Sequence, residues 1–190
     1  MAFSTRTRDI VLTGLFAALT AAGAYIKIPL FYVPVTLQTM FTFLAGSLLR
    51  PAPAVSSQVI YLLLGLLGIP VFAGGGGIGY LLQPTFGYLA ALPIAALTVS
   101  SLSRRSGRPP SFCRIFSACM AALAIVYFTG VTWLYVSLRF FAAAPISLTA
   151  AIVTGALVFL PADLLKAAAA AALTRSILRR LGPAALPDPL

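Results

Sequence analysis

The chain contains no histidine and no glutamate, and its whole acidic complement is Asp9, Asp163 and Asp188. That inventory removes the side chains on which most catalysis rests. A Ser-His-Asp triad, a histidine metal centre, a glycosidase carboxylate pair and an intramembrane zinc protease each need groups that are missing. No enzymatic activity and no cofactor is therefore expected. The two cysteines, Cys113 and Cys119, lack C-x-x-C spacing, which excludes a thioredoxin-like or zinc motif and leaves them as free core thiols. There is no G-x-x-x-x-G-K-[ST] loop, so any ATP-driven step belongs to partner subunits. Gly74, Gly76 and Gly79 formally spell G-x-G-x-x-G, but no strand precedes them and no acid follows about 20 residues on, as a dinucleotide site requires.

Charge of either sign is scarce: 8% of the 190 residues are charged and 61% are hydrophobic, with a mean hydropathy of +1.03. Residues 10–26, 28–49, 51–103, 115–138 and 140–162 carry no charge at all, and each stretch is long enough to cross hydrocarbon. Pro70 and the glycines at 74–77 and 79 break any helix through the centre of 51–103, so that stretch folds back as two spans. The expected fold is an all-α membrane protein of six spans, at 10–28, 37–49, 54–68, 86–102, 115–138 and 147–173, forming one domain over 1–190. A proline-rich tail at 182–190 is expected to be extended and mobile. The first span reads as a mature helix, since five further spans follow it.

The few cations show which way the chain faces. Arg6, Arg8, Arg50, Arg104, Arg105, Arg108, Arg114, Arg175, Arg179 and Arg180 fall on one side and only Lys27 and Arg139 on the other. Ten against two puts both termini in the cytoplasm of a cell-membrane protein. The net charge of +10 does not indicate nucleic acid, because these arginines cluster at the ends of apolar spans; the anionic headgroups of the lipid bilayer account for them.

Two features point to a ligand. The outer segments 27–39, 69–85 and 139–147 are rich in proline and glycine and hold Gln38, Tyr80 and Gln83; irregular backbone at membrane depth is tolerated where it is packed in protein or lines a cavity. Within the sixth span, Asp163 and Lys166 are the charged pair that lies away from any span end. Each unpaired charge costs roughly 3 kcal/mol at bilayer depth. Three residues apart on a helix, their side chains lie about 60° apart and one turn displaced, close enough to neutralise one another while facing the interior. They read either as an ion pair that only fixes helix packing or as the polar end wall of a pocket. In the first span, Gly14, Ala18 and Ala22 form one small-residue stripe and Ala17 with Ala21 its neighbour, surfaces that permit close approach of another helix, in this chain or in a partner.

The stretches Val33-Pro34-Val35-Thr36-Leu37-Gln38-Thr39, Tyr61 to Gly75, Pro84-Thr85-Phe86-Gly87-Tyr88-Leu89 and Pro161-Ala162-Asp163-Leu164-Leu165-Lys166 together resemble the BioY family, the biotin-binding substrate component of energy-coupling-factor (ECF) importers. The resemblance covers almost the whole chain. It implies an S-component-like six-helix bundle that takes biotin from outside and works with a transmembrane coupling subunit and ATP-binding subunits. It further implies that Asp163 accepts the ureido N–H groups and that Lys166 donates to polar ligand atoms. The segment from Gly74 to Tyr88, with Gly75, Tyr80, Gln83 and Thr85, would close over the ring, and Gln38 joins the site. An A-x-x-x-A motif on the first helix would pack on the coupling subunit, and both Ala17 with Ala21 and Ala18 with Ala22 fit it. The sequence departs from the family pattern at 76–83, which is unusually glycine-rich, and at Phe86, where a small residue is expected. The competing readings are a component for another small vitamin, a membrane scaffold whose charged pair is structural, and an enzyme acting on a lipid or isoprenoid, which a single buried aspartate supports poorly.

Overall fold

The computed structural model describes residues 5–30, 32–103, 110–142, 144 and 146–181. The expected tail at 182–190, and Arg104, Arg105 and Arg108, lie outside them.

Local chemistry sets each boundary. Helix α1 (Thr5–Tyr25) is proline-free and alanine-rich, and gives way to a small antiparallel hairpin, β1 (Lys27–Ile28) with β2 (Val35–Thr36), in the register Lys27 to Thr36 and Ile28 to Val35. Helix α2 (Gln38–Leu48) stops because Pro51 forces Arg50 into an extended conformation, φ −59° and ψ 159°, and Pro51 then opens α3 (Pro51–Leu66). Helix α3 ends in a Schellman motif. Gly68 takes φ +104°, while the amides of Gly68 and Ile69 reach back to the carbonyls of Gly65 and Leu64 at 3.2 and 3.1 Å.

A 3₁₀ turn at Ile78–Leu82 leads into α4 (Phe86–Ala90) and α5 (Leu92–Ser103), which together make one rod. Helix α6 (Phe112–Val136) is capped by Ser111, whose hydroxyl accepts the Arg114 amide, and runs on into a π turn at Ser137–Phe141. The last rod has three parts: α7 (Leu148–Ile152), a π turn at Val153–Leu157 and α8 (Leu160–Leu181). The break falls just before Pro161, which has no amide proton to continue the ladder.

The result is a six-rod helical bundle, and it is a multi-pass membrane protein. Three rods, Phe86–Ser103, Phe112–Phe141 and Leu148–Arg180, are long and apolar enough to cross a bilayer by themselves. The expected second span is shorter than a crossing: the 11 residues of α2 extend about 16 Å, roughly half the hydrocarbon thickness. The Arg50–Asp9 ion pair at 3.7 Å and the Ser47–Thr174 hydrogen bond at 2.6 Å hold the foot of α2 beside the two terminal helices. Its first turn therefore begins well inside the bundle, and the hairpin drops in above it.

The main core lies toward the terminal end, where Phe43, Ala54, Ala96, Val99, Ile115, Ala122, Ala167 and Ala170 interlock. Cys119 belongs to it, but Cys113 is exposed, because it falls on the outward side of the first turn of α6; only one of the two thiols is a core residue.

Candidate binding cavity

Between that core and the hairpin, the structure leaves a cavity that is partly continuous with solvent. Its walls are mainly apolar: Val33 and Val35 from the hairpin, Leu89 and Leu92 from the α4–α5 rod, Val126 from α6 and Phe159 from the start of the last helix. The short α2 makes room for it, contributing Gln38 and Thr39 where a longer helix would fill the space.

Its polar floor is built around Asp163, in the first turn of α8. Lys166 Nζ donates to Asp163 Oδ1 at 2.7 Å, and Tyr127 from α6 donates its hydroxyl to Oδ2 at 2.6 Å. Thr39 stands between them, 3.4 Å from both Asp163 Oδ1 and Lys166 Nζ. Asp163 is 5% exposed and Lys166 9%, yet both line the cavity. The charges are thus out of water, paired, and turned toward a space rather than toward lipid.

An ionised carboxylate offers about four lone-pair directions and an ammonium three protons. Asp163 accepts from Lys166, Tyr127 and Thr39, and Lys166 donates to Asp163 and Thr39. One acceptor direction and one proton remain, and the two contacts of Thr39 are long enough to yield.

Tyr80, Thr85, Tyr88 and Gln38 also line the space, with Asp163 and Lys166. Tyr88 offers its ring only, since its hydroxyl donates to the Gly155 carbonyl of the π turn at 2.8 Å. The side chain lies in a slot between Gly130 and Gly155, where a methyl group on Gly130 would overlap the ring and one on Gly155 the hydroxyl. Gln38 is engaged at both ends: its carbonyl accepts from Thr36 at 2.8 Å, and its amide donates to Tyr61 at 2.5 Å. Tyr61 in turn donates to the Val71 carbonyl at 3.2 Å. Thr85 donates to the Tyr80 hydroxyl at 3.1 Å.

Gly74, Gly75 and Gln83 do not line the cavity. The segment that carries them folds on itself around Phe72, which is 2% exposed and packs edge-on to Tyr61 and tilted against Tyr80. The Phe72 and Gly75 backbones exchange hydrogen bonds at 2.9 and 3.1 Å, Gly75 at φ +119°, and Gly74 sits beside the Tyr80 hydroxyl. These glycines serve the turn and the packing of Tyr80. Gln83 turns outward, and its carbonyl accepts from the Trp133 indole at 3.0 Å. The segment is tied to the hairpin side by Lys27, which donates to the Ala73 carbonyl, and by Tyr25, which donates to that of Pro70.

A family model described as the BioY family matches residues 1–183. The chain belongs to the BioY family. It is 47% identical over 133 residues to a protein of Lysinibacillus sphaericus named probable biotin transporter BioY, covering 70% of this chain and 67% of that one. A Pyrococcus horikoshii protein of the same name is 39% identical over 166 residues, 87% of this chain and 93% of its own. Among solved structures, the S-component for biotin from an ECF-type ABC transporter superposes with a TM-score of 0.81 at 25% identity, covering 95% of this chain and 96% of that one.

Tyr127 and Thr39 complete the charged floor of this BioY-family chain, and sequence reasoning passed over both. Thr39 lies at the end of a stretch already singled out. Tyr127 has no local motif, since it stands 36 residues before its partner. The available signal was a phenol in the middle of the fifth span, where a buried hydroxyl needs a partner.

Proposed function

We propose that this chain captures biotin at the outer face of the cell membrane, as the substrate-specific subunit of an ECF-type importer. The observation that carries the reading is the buried Asp163–Lys166–Tyr127–Thr39 floor beneath a mainly apolar cavity. Biotin has matching chemistry: a ureido group with two N–H donors and a carbonyl acceptor, an apolar thiophane ring and a chain ending in a carboxylate. Asp163 accepts ureido N–H groups on its free lone pair and on the one Thr39 releases, and the spare proton of Lys166 meets a ligand oxygen. The apolar walls and the face of Tyr88 cover the ring. The names carried by the relatives, and that of the superposed structure, support biotin over another vitamin.

With the termini in the cytoplasm, as the arginine bias supports, the hairpin end opens outward. ATP hydrolysis then falls to ATP-binding partner subunits, reached through a transmembrane coupling subunit that packs on α1 at Ala18 and Ala22. Burial supports this pair over the other. Ala17 is 5% exposed and packs with Ala21 in the second core cluster, whereas Ala18 and Ala22 are exposed and a methyl group built on Gly14 meets nothing within 4 Å.

Titration of the purified chain with biotin tests the reading. Saturable binding of one biotin per chain is expected, and its absence in a folded sample rejects the assignment.

A further inference from the structure

A second concavity lies at the opposite end of the molecule, between the start of α6 and the last turns of α8. It is an open groove lined by Phe112, Ala172, Arg175, Ser176, Arg179 and Arg180. We propose that this groove binds the phosphate of an anionic phospholipid headgroup, with Phe112 and Ala172 against the glycerol and upper acyl carbons.

The first argument is unspent charge. Among the described residues the ion pairs are Arg50–Asp9 and Lys166–Asp163, and none of Arg175, Arg179 and Arg180 has a hydrogen-bond or ionic partner there. Arg175 and Arg179 are four residues apart and share a helix face, with the Ser176 hydroxyl beside them, a donor set suited to phosphate oxygens.

The second argument is depth. The rod Leu148–Arg180 has 33 residues and is about 50 Å long at 1.5 Å per residue. Hydrocarbon takes up only about 30 Å of that, so the last turns of α8 project into the headgroup layer, where phosphates are concentrated.

The third is rigidity. Thr174, the residue before Arg175, is fully buried and bonded to Ser47 of α2 at 2.6 Å. Phe112 stacks on Phe116 with ring centroids 6.0 Å apart. The groove therefore has fixed walls, unlike a set of arginines on a free terminus. A lipid seated there would hold α6 and α8 at a constant spacing and set the depth of the bundle.

The test counts bound lipid by native mass spectrometry on the full-length chain in detergent, titrated in parallel with dioctanoyl phosphatidylglycerol, dioctanoyl phosphatidylcholine and inorganic phosphate. Saturable phosphatidylglycerol binding is expected, with the zwitterionic lipid at least about tenfold weaker. Each guanidinium near a headgroup contributes about fivefold, so Arg175→Gln with Arg179→Gln is expected to weaken phosphatidylglycerol roughly 25-fold at an unchanged melting temperature. Should that variant fail to fold, Arg175→Lys with Arg179→Lys keeps the charge but removes the bidentate fork, and a severalfold loss is expected. Equal binding of the two lipids, or wild-type binding by a folded variant, overturns the proposal. So does inorganic phosphate binding as tightly as the lipid, which would make the groove a site for the free anion.

Discussion

Replacing Asp163 with asparagine keeps the shape of the floor and removes its charge, which makes it the most informative single perturbation of the cavity. Two things change together. The ligand loses a charged acceptor and meets a neutral one, at a cost of about 1 to 3 kcal/mol, or roughly 5- to 150-fold in affinity. Lys166, 9% exposed and held at 2.7 Å by the carboxylate, is left as a buried cation without its counter-charge, a loss of about 3 to 5 kcal/mol of stability when one partner of such a pair is removed. A low biotin signal from Asp163→Asn alone would therefore be ambiguous between a lost contact and a loosened fold. The double variant Asp163→Asn with Lys166→Met separates them, because it removes both charges and restores a packable side chain; melting temperature should recover toward wild type while affinity stays low. Calorimetric titration with biotin, paired with thermal unfolding of the wild type, both single variants and the double variant, reads both quantities and completes a double-mutant cycle. If the double variant binds biotin as tightly as the wild type, the charged pair is a packing device and the proposed recognition is wrong.

Three further outcomes are expected. Tyr127→Phe removes the 2.6 Å hydrogen bond to Asp163 Oδ2 without changing ring volume; because that bond stays in place when ligand binds, its loss should appear as about 1.5 to 3 kcal/mol of stability in thermal unfolding, and an unchanged melting temperature removes Tyr127 from the floor. Gly130→Ala places a methyl group on the Tyr88 ring and should cost about 1 to 3 kcal/mol of stability by overpacking, read by thermal unfolding, whereas Gln83→Ala, at an outward-facing side chain, should leave biotin affinity unchanged. Ala18→Leu should leave biotin binding intact and abolish co-purification with the coupling subunit, while Ala17→Leu, at a buried site, should lower the melting temperature first.

The parts of this fold that were legible in the sequence are those where membrane chemistry leaves few options. With so little charge in the chain, uncharged stretches had to lie in apolar helices, although α2 is too short to cross by itself, and the one charged pair inside a span had to face protein. The Asp163–Lys166 contact follows from helix periodicity alone. Elsewhere, local residue type did not fix direction. Gly74 and Gly75 suggested backbone approaching a ligand, but the same flexibility serves a turn folded around Phe72. Gln83, drawn in by the stretch it belongs to, turns outward because the 3₁₀ turn before it ends there in an extended residue. The two-residue strands of the hairpin are too short to leave a periodic signal, although they let β2 and a shortened α2 open the cavity. The two alanine stripes of α1 were indistinguishable by composition, and burial separates them because only one faces Tyr61, Phe72 and Leu92 in the second core cluster.

The internal completeness of the charged floor is compatible with a merely structural pair, since every buried polar side-chain atom among the described residues has a partner. Energetics argue otherwise. A buried ion pair contributes little net stability over apolar residues of similar volume, and replacing both members is often neutral or stabilising. Retention therefore has to be explained by something an apolar pair could not do. Here the pair lines open volume, with one acceptor direction and one proton unspent and a threonine at 3.4 Å from both members. A ligand that arrives with two donors and an acceptor displaces long contacts only and leaves the 2.7 and 2.6 Å bonds to Lys166 and Tyr127 in place. The floor is thus already oriented before the ligand arrives, so that binding orders few side chains, and this is the property the double-variant titration measures.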